Sequence, residues 1–439
     1  MTVTLEMKVE KMTLGGQGLG HLDGKVCFVN KAIPGETVRI EIIEDKKDYC
    51  VANPLEILQA SPHRINPECP VFNRCGGCQL QHIAYNHQLS LKREVFMETM
   101  KRIGKMEVVA DLPFRSPPYL YRNRAQLPVQ DGDGLKIGYF KPGTHRVVDH
   151  KYCPINHDLI NRALMIVRRR ISESGVSVYD ERKHQGVLRH LVIKAGVNTR
   201  QLFLTFVTNG RELTEPLYRG LHECMPELAG VTQNINSEKT NRVLGQENRR
   251  LWGSDFYEEQ AGGFTYRIRT ATFFQVNTPV FEVVLKTVRD SMYLTGNETV
   301  LDLYSGVGVL GSCLADRVKE VVAVEESEET VNDGKTSARA NGVANIRFII
   351  GDVSAALGEI TAGDIAILDP PRKGTGPAIV DALARLKIKE VAYLSCNPAT
   401  FARDAGYLRA RNYELYKVLL FDMFPQTFHI EALGFFQKR

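Results

Sequence analysis

Three groups of residues in this chain have types and spacing that could do chemistry. The first is Cys396, in Leu394-Ser395-Cys396-Asn397-Pro398. A thiolate is a strong nucleophile, and this one follows an apolar run at 390–394 that has the character of a buried strand. An arbitrary free cysteine is more often inert core, but one just past the carboxyl end of a strand lies where ligands bind. The second group lies in Phe424-Pro425-Gln426-Thr427-Phe428-His429-Ile430-Glu431, which offers two bases. His429 titrates near neutrality, whereas Glu431 can serve if burial tunes its carboxyl, and residue type alone leaves both open. The third is Cys69, Cys75 and Cys78, spaced C-x5-C-x2-C, with Cys153 following in Tyr152-Cys153-Pro154. Four thiolates can hold a tetrahedral zinc or an iron–sulfur cluster, and coordination chemistry by itself does not choose between them.

The elements that must position these groups are legible as alternation. From Thr278 onward, strand candidates at 299–303, 320–324, 346–350, 364–368 and 390–394 are separated mostly by helical stretches. Such alternation predicts an α/β fold with a mostly parallel, doubly wound sheet. Thr278-Pro279 reads as an N-cap followed by proline at the first helical position, with Phe281, Leu285, Val288 and Met292 as the apolar face. Val300-Leu301-Asp302-Leu303-Tyr304-Ser305-Gly306-Val307-Gly308 is a strand entering a glycine turn before a helix, which lets backbone approach a ligand closely. The next strand ends at Val324-Glu325, nineteen residues after Gly306, where a carboxylate can accept from the ribose hydroxyls of an adenosine. The third ends in Gly351-Asp352 and the fourth in Asp369-Pro370-Pro371-Arg372, so acids line one sheet edge.

This order resembles the class I S-adenosylmethionine-dependent methyltransferases, a Rossmann-like fold. The cysteine then suggests a particular reaction. Carbon 5 of uracil is a poor nucleophile until a thiolate adds at carbon 6, and a base must afterwards remove the carbon-5 proton. Phe274-Gln275-Val276-Asn277, the Asp-Pro-Pro-Arg at 369–372, Ser-Cys-Asn-Pro at 395–398 and His-x-Glu at 429–431 resemble the RNA uracil-5-methyltransferase family. The resemblance implies Cys396 as nucleophile and Glu431 as base, with Gln275, Tyr304, Glu325 and Asp369 contacting S-adenosylmethionine. It departs at Val309, where the family often carries a polar residue, so no role is carried there. The four cysteines are similar to the [4Fe-4S] site of the same enzymes, which implies that cluster as cofactor, with zinc the alternative. They do not match the C-x3-C-x2-C pattern of radical S-adenosylmethionine chemistry.

Glycine-rich turns between short strands at 5–11, 26–29 and 37–43 suggest a small N-terminal β-barrel, which resembles the TRAM domain. A barrel with a four-cysteine cluster is similar to the branch of the family acting on 23S ribosomal RNA, so RNA, 23S ribosomal RNA first, is the expected partner. The expected organisation is a TRAM-like barrel at 1–59, a β-rich central iron–sulfur and RNA-binding domain at 60–262, and a methyltransferase domain at 263–439. Leu89, Phe96, Met100 and Ile103 fall at helical spacing, predicting an amphipathic helix near 87–106 that packs a core, the catalytic domain being a candidate. Basic residues in Tyr121-Arg122-Asn123-Arg124, Arg168-Arg169-Arg170 and 141–146 are candidate phosphate contacts, Arg122 foremost. Phe273 and Phe274 either stack on a flipped base or fill core.

The 439 residues call for more than one core, and 43% hydrophobic with 24% charged is a globular composition. Nine cysteines without an export signal read as thiols and ligands rather than disulfides, and no apolar run reaches membrane-spanning length. A cytoplasmic enzyme with no membrane partner and no obligatory protein partner is therefore expected. The net charge of +5 permits a nucleic-acid partner without requiring one. Rival readings are a cytosine-5 methyltransferase, whose cysteine commonly follows proline rather than serine; an amino-group methyltransferase, which needs no nucleophile; the same chemistry on transfer RNA; and a non-catalytic RNA-binding protein.

Overall fold

Seven strands of the C-terminal half form one sheet, in the order Ile346–Ile350, Glu320–Glu325, Thr299–Leu303, Ile365–Leu368, Glu390–Ser395, Glu431–Lys438, Tyr413–Phe421. The first five are parallel, and Glu431–Lys438 runs antiparallel to both neighbours. In this computed structural model, which describes residues 5–210 and 212–439, the four inner parallel strands are near-continuous apolar runs because helices cover both faces. Val300, Leu301, Val322, Val324, Ala366, Leu368, Val391 and Tyr393 are all buried. Strand order reverses between Thr299–Leu303 and Ile365–Leu368, which opens a crevice beyond their carboxyl ends. The arrangement is a class I methyltransferase fold.

The helix Thr278–Ser291 buries Phe281, Leu285 and Val288 as its periodicity requires, and Met292 is buried at its end. Its cap is Asn277 rather than Thr278, the Asn277 side chain accepting from the Val280 N–H at 3.4 Å. The Thr278 hydroxyl is drawn elsewhere: it donates to Glu259 at 3.0 Å and accepts from Asn123 Nδ2 at 3.1 Å.

Ahead of this domain lie a six-stranded sheet built from residues 5–59 and a seven-stranded sheet built from residues 124–253. The first includes Gly18–Leu22 and Tyr49–Gln59, which lack a clear alternating pattern and were not expected as strands. Its core is Val9, Cys27, Val29, Val38, Ile40 and Ala52. The second carries Leu188–Ala195 and Leu202–Thr208, both buried along their length, with the helix Asp158–Ser174 packed on one face.

The helix Tyr85–Thr99 continues as a wider turn over Met100–Gly104. Phe96 and Met100 enter the catalytic core beside Phe401 and Ala402, but Ile103 is 45% exposed. A π-type turn advances fewer degrees per residue, so a position computed for an α-helix swings out of register. Lys92, on the same helix, is fully buried against Asp422 at 2.6 Å and donates to the Phe424 carbonyl at 3.1 Å. Removing one partner strands a buried charge, so Lys92→Ala should destabilise the chain by about 3–5 kcal/mol. A lowered denaturant midpoint measures this, and an unchanged midpoint would contradict it. No helix among the described residues is long and apolar enough to cross a membrane.

Candidate active site

Register brings the two reactive candidates together. Ser395 pairs with Ala432 in the antiparallel ladder, so Cys396, one residue on, lies across from Glu431, one residue back. Cys396 is half-buried just past the strand, whereas Glu431 is 2% exposed. Burial pushes the Cys396 thiol up to about 11, the Glu431 and Asp369 charges pushing the same way while the positive charge of Arg372 pulls it down. Burial, then Asp369, holds the Glu431 carboxyl well above the usual carboxylate range, and Arg372 again opposes. Arg372 is thus the counter-charge common to nucleophile and base. It is also the residue whose role the sequence left unassigned, although it stands in the Asp-Pro-Pro-Arg motif.

His429 is also close, but its Nε2 lies 3.1 Å from an Arg372 guanidinium nitrogen and its ring packs on Phe428. Burial and then Arg372 lower its pKa to about 4, leaving it neutral and weakly basic. Asn397 caps the helix Pro398–Arg409 and donates to the Arg372 carbonyl at 3.0 Å, tying the cysteine turn to the Asp-Pro-Pro-Arg loop.

Cys396, Arg372 and His429 line a cavity of about 280 Å³ whose opposite wall is Met12, Leu14 and Gly15 of the N-terminal sheet. Nothing local at 12–15 announced that it would face the thiol.

The crevice residues gather at the strand ends. The Gln275 side chain donates to Asp369 at 3.0 Å, while Asn123 of the central sheet donates to the Gln275 carbonyl at 2.9 Å. Burial raises the Asp369 carboxyl to about 7 against that hydrogen bond. Glu325 accepts from the Gly306 and Ser327 N–H groups at 3.1 and 2.9 Å, which leaves lone pairs on both oxygens for a hydroxyl donor. Gly306 sits at φ 54°, and a Cβ there would project into open space, so the turn is kept bare on its crevice side. Tyr304 is held at φ 63°, a conformation that costs a non-glycine residue about 1–3 kcal/mol and marks an over-determined position. Gly311 donates its N–H to buried Asp302 at 2.8 Å, and a side chain there would collide with Asp302 and Val321. That glycine serves close helix-to-strand packing. An open glycine turn, hydroxyl-accepting acids and a half-buried Gln–Asp pair are a set of groups suited to S-adenosylmethionine.

Of the two neighbouring aromatics, Phe274 fills core against Tyr266 and Phe281, whereas Phe273 is 55% exposed. Cys69, Cys75, Cys78 and Cys153 line one hollow together with Tyr139 and His150. Among the described residues no three His, Cys, Asp or Glu side chains are close enough to share a single metal ion. Arg122 points inward beside Cys153 and Cys78, its Nε donating to the Arg124 carbonyl at 2.9 Å, and Arg168 is spent on Asp149 and the carbonyls of Leu135, Ile137 and His150. Both are half-buried rather than fully exposed.

The fold and site define an S-adenosylmethionine-dependent methyltransferase acting on RNA. Residues 254–439 match the tRNA (uracil-5-)-methyltransferase family and residues 3–55 match the TRAM domain. An uncharacterized RNA methyltransferase of Halalkalibacterium halodurans is 36% identical, covering 98% of this chain and 96% of its own length. Another from Gloeobacter violaceus is 38% identical over 99% and 96%. The crystal structure of Pyrococcus abyssi tRNA (uracil-54, C5)-methyltransferase in complex with S-adenosyl-L-homocysteine superposes with a TM-score of 0.81 at 28% identity, covering 98% of this chain and all of that one. The chain belongs to the RNA uracil-5-methyltransferase family.

Proposed function

We propose that this enzyme methylates carbon 5 of a uridine in 23S ribosomal RNA, with Cys396 as the covalent nucleophile and Glu431 as the base. The observation that carries the reading is the cross-strand register of Cys396 with Glu431, both beside Arg372. S-adenosylmethionine, held by Gln275, Tyr304, Glu325 and Asp369, supplies a methyl group on a positively charged sulfur.

The Cys396 thiolate bonds to carbon 6, the carbon 5–carbon 6 double bond opens, and the electron pair moves toward the carbon-4 oxygen. Carbon 5, now nucleophilic, bonds to the methyl carbon as the bond from that carbon to the sulfonium sulfur breaks, and the electron pair stays on sulfur as a neutral thioether. The Glu431 carboxylate then removes the carbon-5 proton, the double bond re-forms and the carbon 6–sulfur bond breaks, restoring the thiolate. Burial and the neighbouring Asp369 raise the Glu431 carboxyl, which favours its taking up a proton. His429, neutral and weakly basic, is less suited to that step.

The sign of the pH dependence follows. Both essential groups act deprotonated and both are raised, so kcat/KM should climb with pH through neutrality and beyond. Arg372 pulls both down, so Arg372→Gln should move the ascending limb to higher pH. A pH–rate profile measures this, and a limb that stays put would remove Arg372 from the role.

For the four cysteines we favour a [4Fe-4S] cluster over zinc. Support comes from the single hollow that the four thiols line together and from the resemblance of their spacing to that site. It would pin the 69–78 loop to Cys153, a structural role. We divide the chain into a barrel at 1–59, a central domain at 60–262 and a catalytic domain at 263–439.

The barrel and the four cysteines together support ribosomal RNA. A specific observation favours a second reading, the same chemistry on transfer RNA: the Pyrococcus abyssi enzyme that superposes over 98% of the chain is named a tRNA (uracil-54, C5)-methyltransferase. Mass mapping of 23S and transfer RNA from cells with and without the gene decides. Loss of a methyl from a 23S uridine is the expected result, and loss from transfer RNA alone would transfer the proposal to the second substrate.

A further inference from the structure

Away from Cys396, the central domain carries a groove of about 980 Å³ between the end of the strand Arg124–Gln130, the 141–146 turn, the 178–182 turn and the 240–243 loop. The mechanism above does not use it. Its volume is at the upper end of the range for small-molecule sites, about 300–1,000 Å³.

Its charges do not cancel internally. Three acids line it, and each is engaged: Asp180 accepts from the Arg182 and Lys183 N–H groups, Glu181 pairs with His145 at 2.8 Å, and Asp131 accepts from the Gly132 N–H at 2.9 Å. Arg189, the fourth arginine of the lining, is fixed on the carbonyls of Asn236 and Glu238 and over the Tyr179 ring. The guanidinium groups of Arg146, Arg182 and Arg242, by contrast, have no hydrogen-bond or ion-pair partner among the described residues. Beside them is the 36% exposed ring of Phe140, backed by His145 at a centroid distance of 5.5 Å.

The wall adds a second, independent feature. His190 lines the groove with a buried Nδ1 that has no hydrogen-bond partner. Burial and Arg189 lower its pKa to about 4, so the ring is neutral and able to read a donor or an acceptor. An orphaned buried ring nitrogen is unfavourable unless something completes it.

We infer that this groove is a second RNA-binding site, which holds a single-stranded segment of the substrate outside the target uridine. Phosphodiester oxygens meet Arg146, Arg182 and Arg242, a base lies on Phe140, and a base edge completes His190. Guanidinium groups, an aromatic face and a neutral imidazole together match a nucleotide chain better than an acidic peptide, which would use the charges alone. The inference rests on the RNA reading above and adds a contact remote from the chemistry.

The test compares the full-length protein with Arg146→Gln/Arg182→Gln/Arg242→Gln, using fluorescein-labelled oligouridylate, labelled oligoglutamate and methylation of ribosomal RNA. Each lost phosphate contact on a single strand should reduce the slope of log K against log salt by about 0.7, so the triple variant should lose about 2 from its slope. Its KM for ribosomal RNA should rise roughly 10-fold or more with kcat unchanged, and restoring the charge as lysine at the three positions should recover the slope. Photocrosslinking of 4-thiouridine RNA should label the peptide carrying Phe140 in the unmodified protein and not in the triple variant. Unchanged affinity and slope, or tighter binding of oligoglutamate than of oligouridylate at the groove, overturns the inference. A protein that binds RNA through these arginines yet forms no 5-methyluridine upholds the groove and defeats the uracil reading; one that methylates normally with the triple variant indistinguishable does the reverse.

Discussion

Cys396→Ala should abolish methyl transfer, with a loss on the order of 10⁴-fold or more, the scale seen when a covalent nucleophile is removed. The size follows from the substrate: without addition at carbon 6, carbon 5 of uracil is too weak a nucleophile to take a methyl, and among the described residues no other thiol lines the same cavity. RNA carrying 5-fluorouridine at the target should trap a denaturation-resistant complex with the unmodified protein, because fluorine cannot leave as a proton, and should trap none with Cys396→Ala. Binding of S-adenosylmethionine should survive, since Glu325 and the glycine turn are held by bonds that do not involve the sulfur. Retained methylation in Cys396→Ala would show amino-group chemistry instead.

Glu431→Gln should separate the two halves of the reaction. Addition and methyl transfer need no base at carbon 5, so the first turnover proceeds and stops, and methylated RNA stays bonded to the protein. Multiple-turnover rates should fall by roughly 10²–10⁴-fold, the usual worth of a general base. Removing the acid also removes a charge that raises the Cys396 thiol, so adduct should form at lower pH than in the unmodified enzyme. Denaturing gels of single-turnover reactions measure both effects. Normal turnover would reassign the base, with His429 next to test.

How far the site was legible depended on the distance over which each feature is encoded. The strand at Thr299–Leu303, its glycine turn and the acids ending the next strands are local: apolar runs and turn residues specify them within a few positions. Asn277 taking the cap from Thr278 was not legible, because it depended on Glu259 and Asn123 claiming the threonine hydroxyl. The exposure of Ile103 depended on a local widening of the helix, which a fixed period cannot anticipate. Arg122 and Arg168 look like surface charge in the sequence and are partners of buried carbonyls in the fold.

By itself the sequence determined the alternating α/β architecture, the glycine turn with its acids, and the candidate cysteine, because hydrophobic period and turn chemistry act between near neighbours. Only the tertiary structure decided that Glu431 faces Cys396, that Arg372 serves both, that residues 12–15 wall the thiol's cavity, and that Lys92 is buried against Asp422, 330 positions away. Those relations are set by strand register and domain packing, and pKa values and cavities come from which distant groups share one small volume once water has been removed.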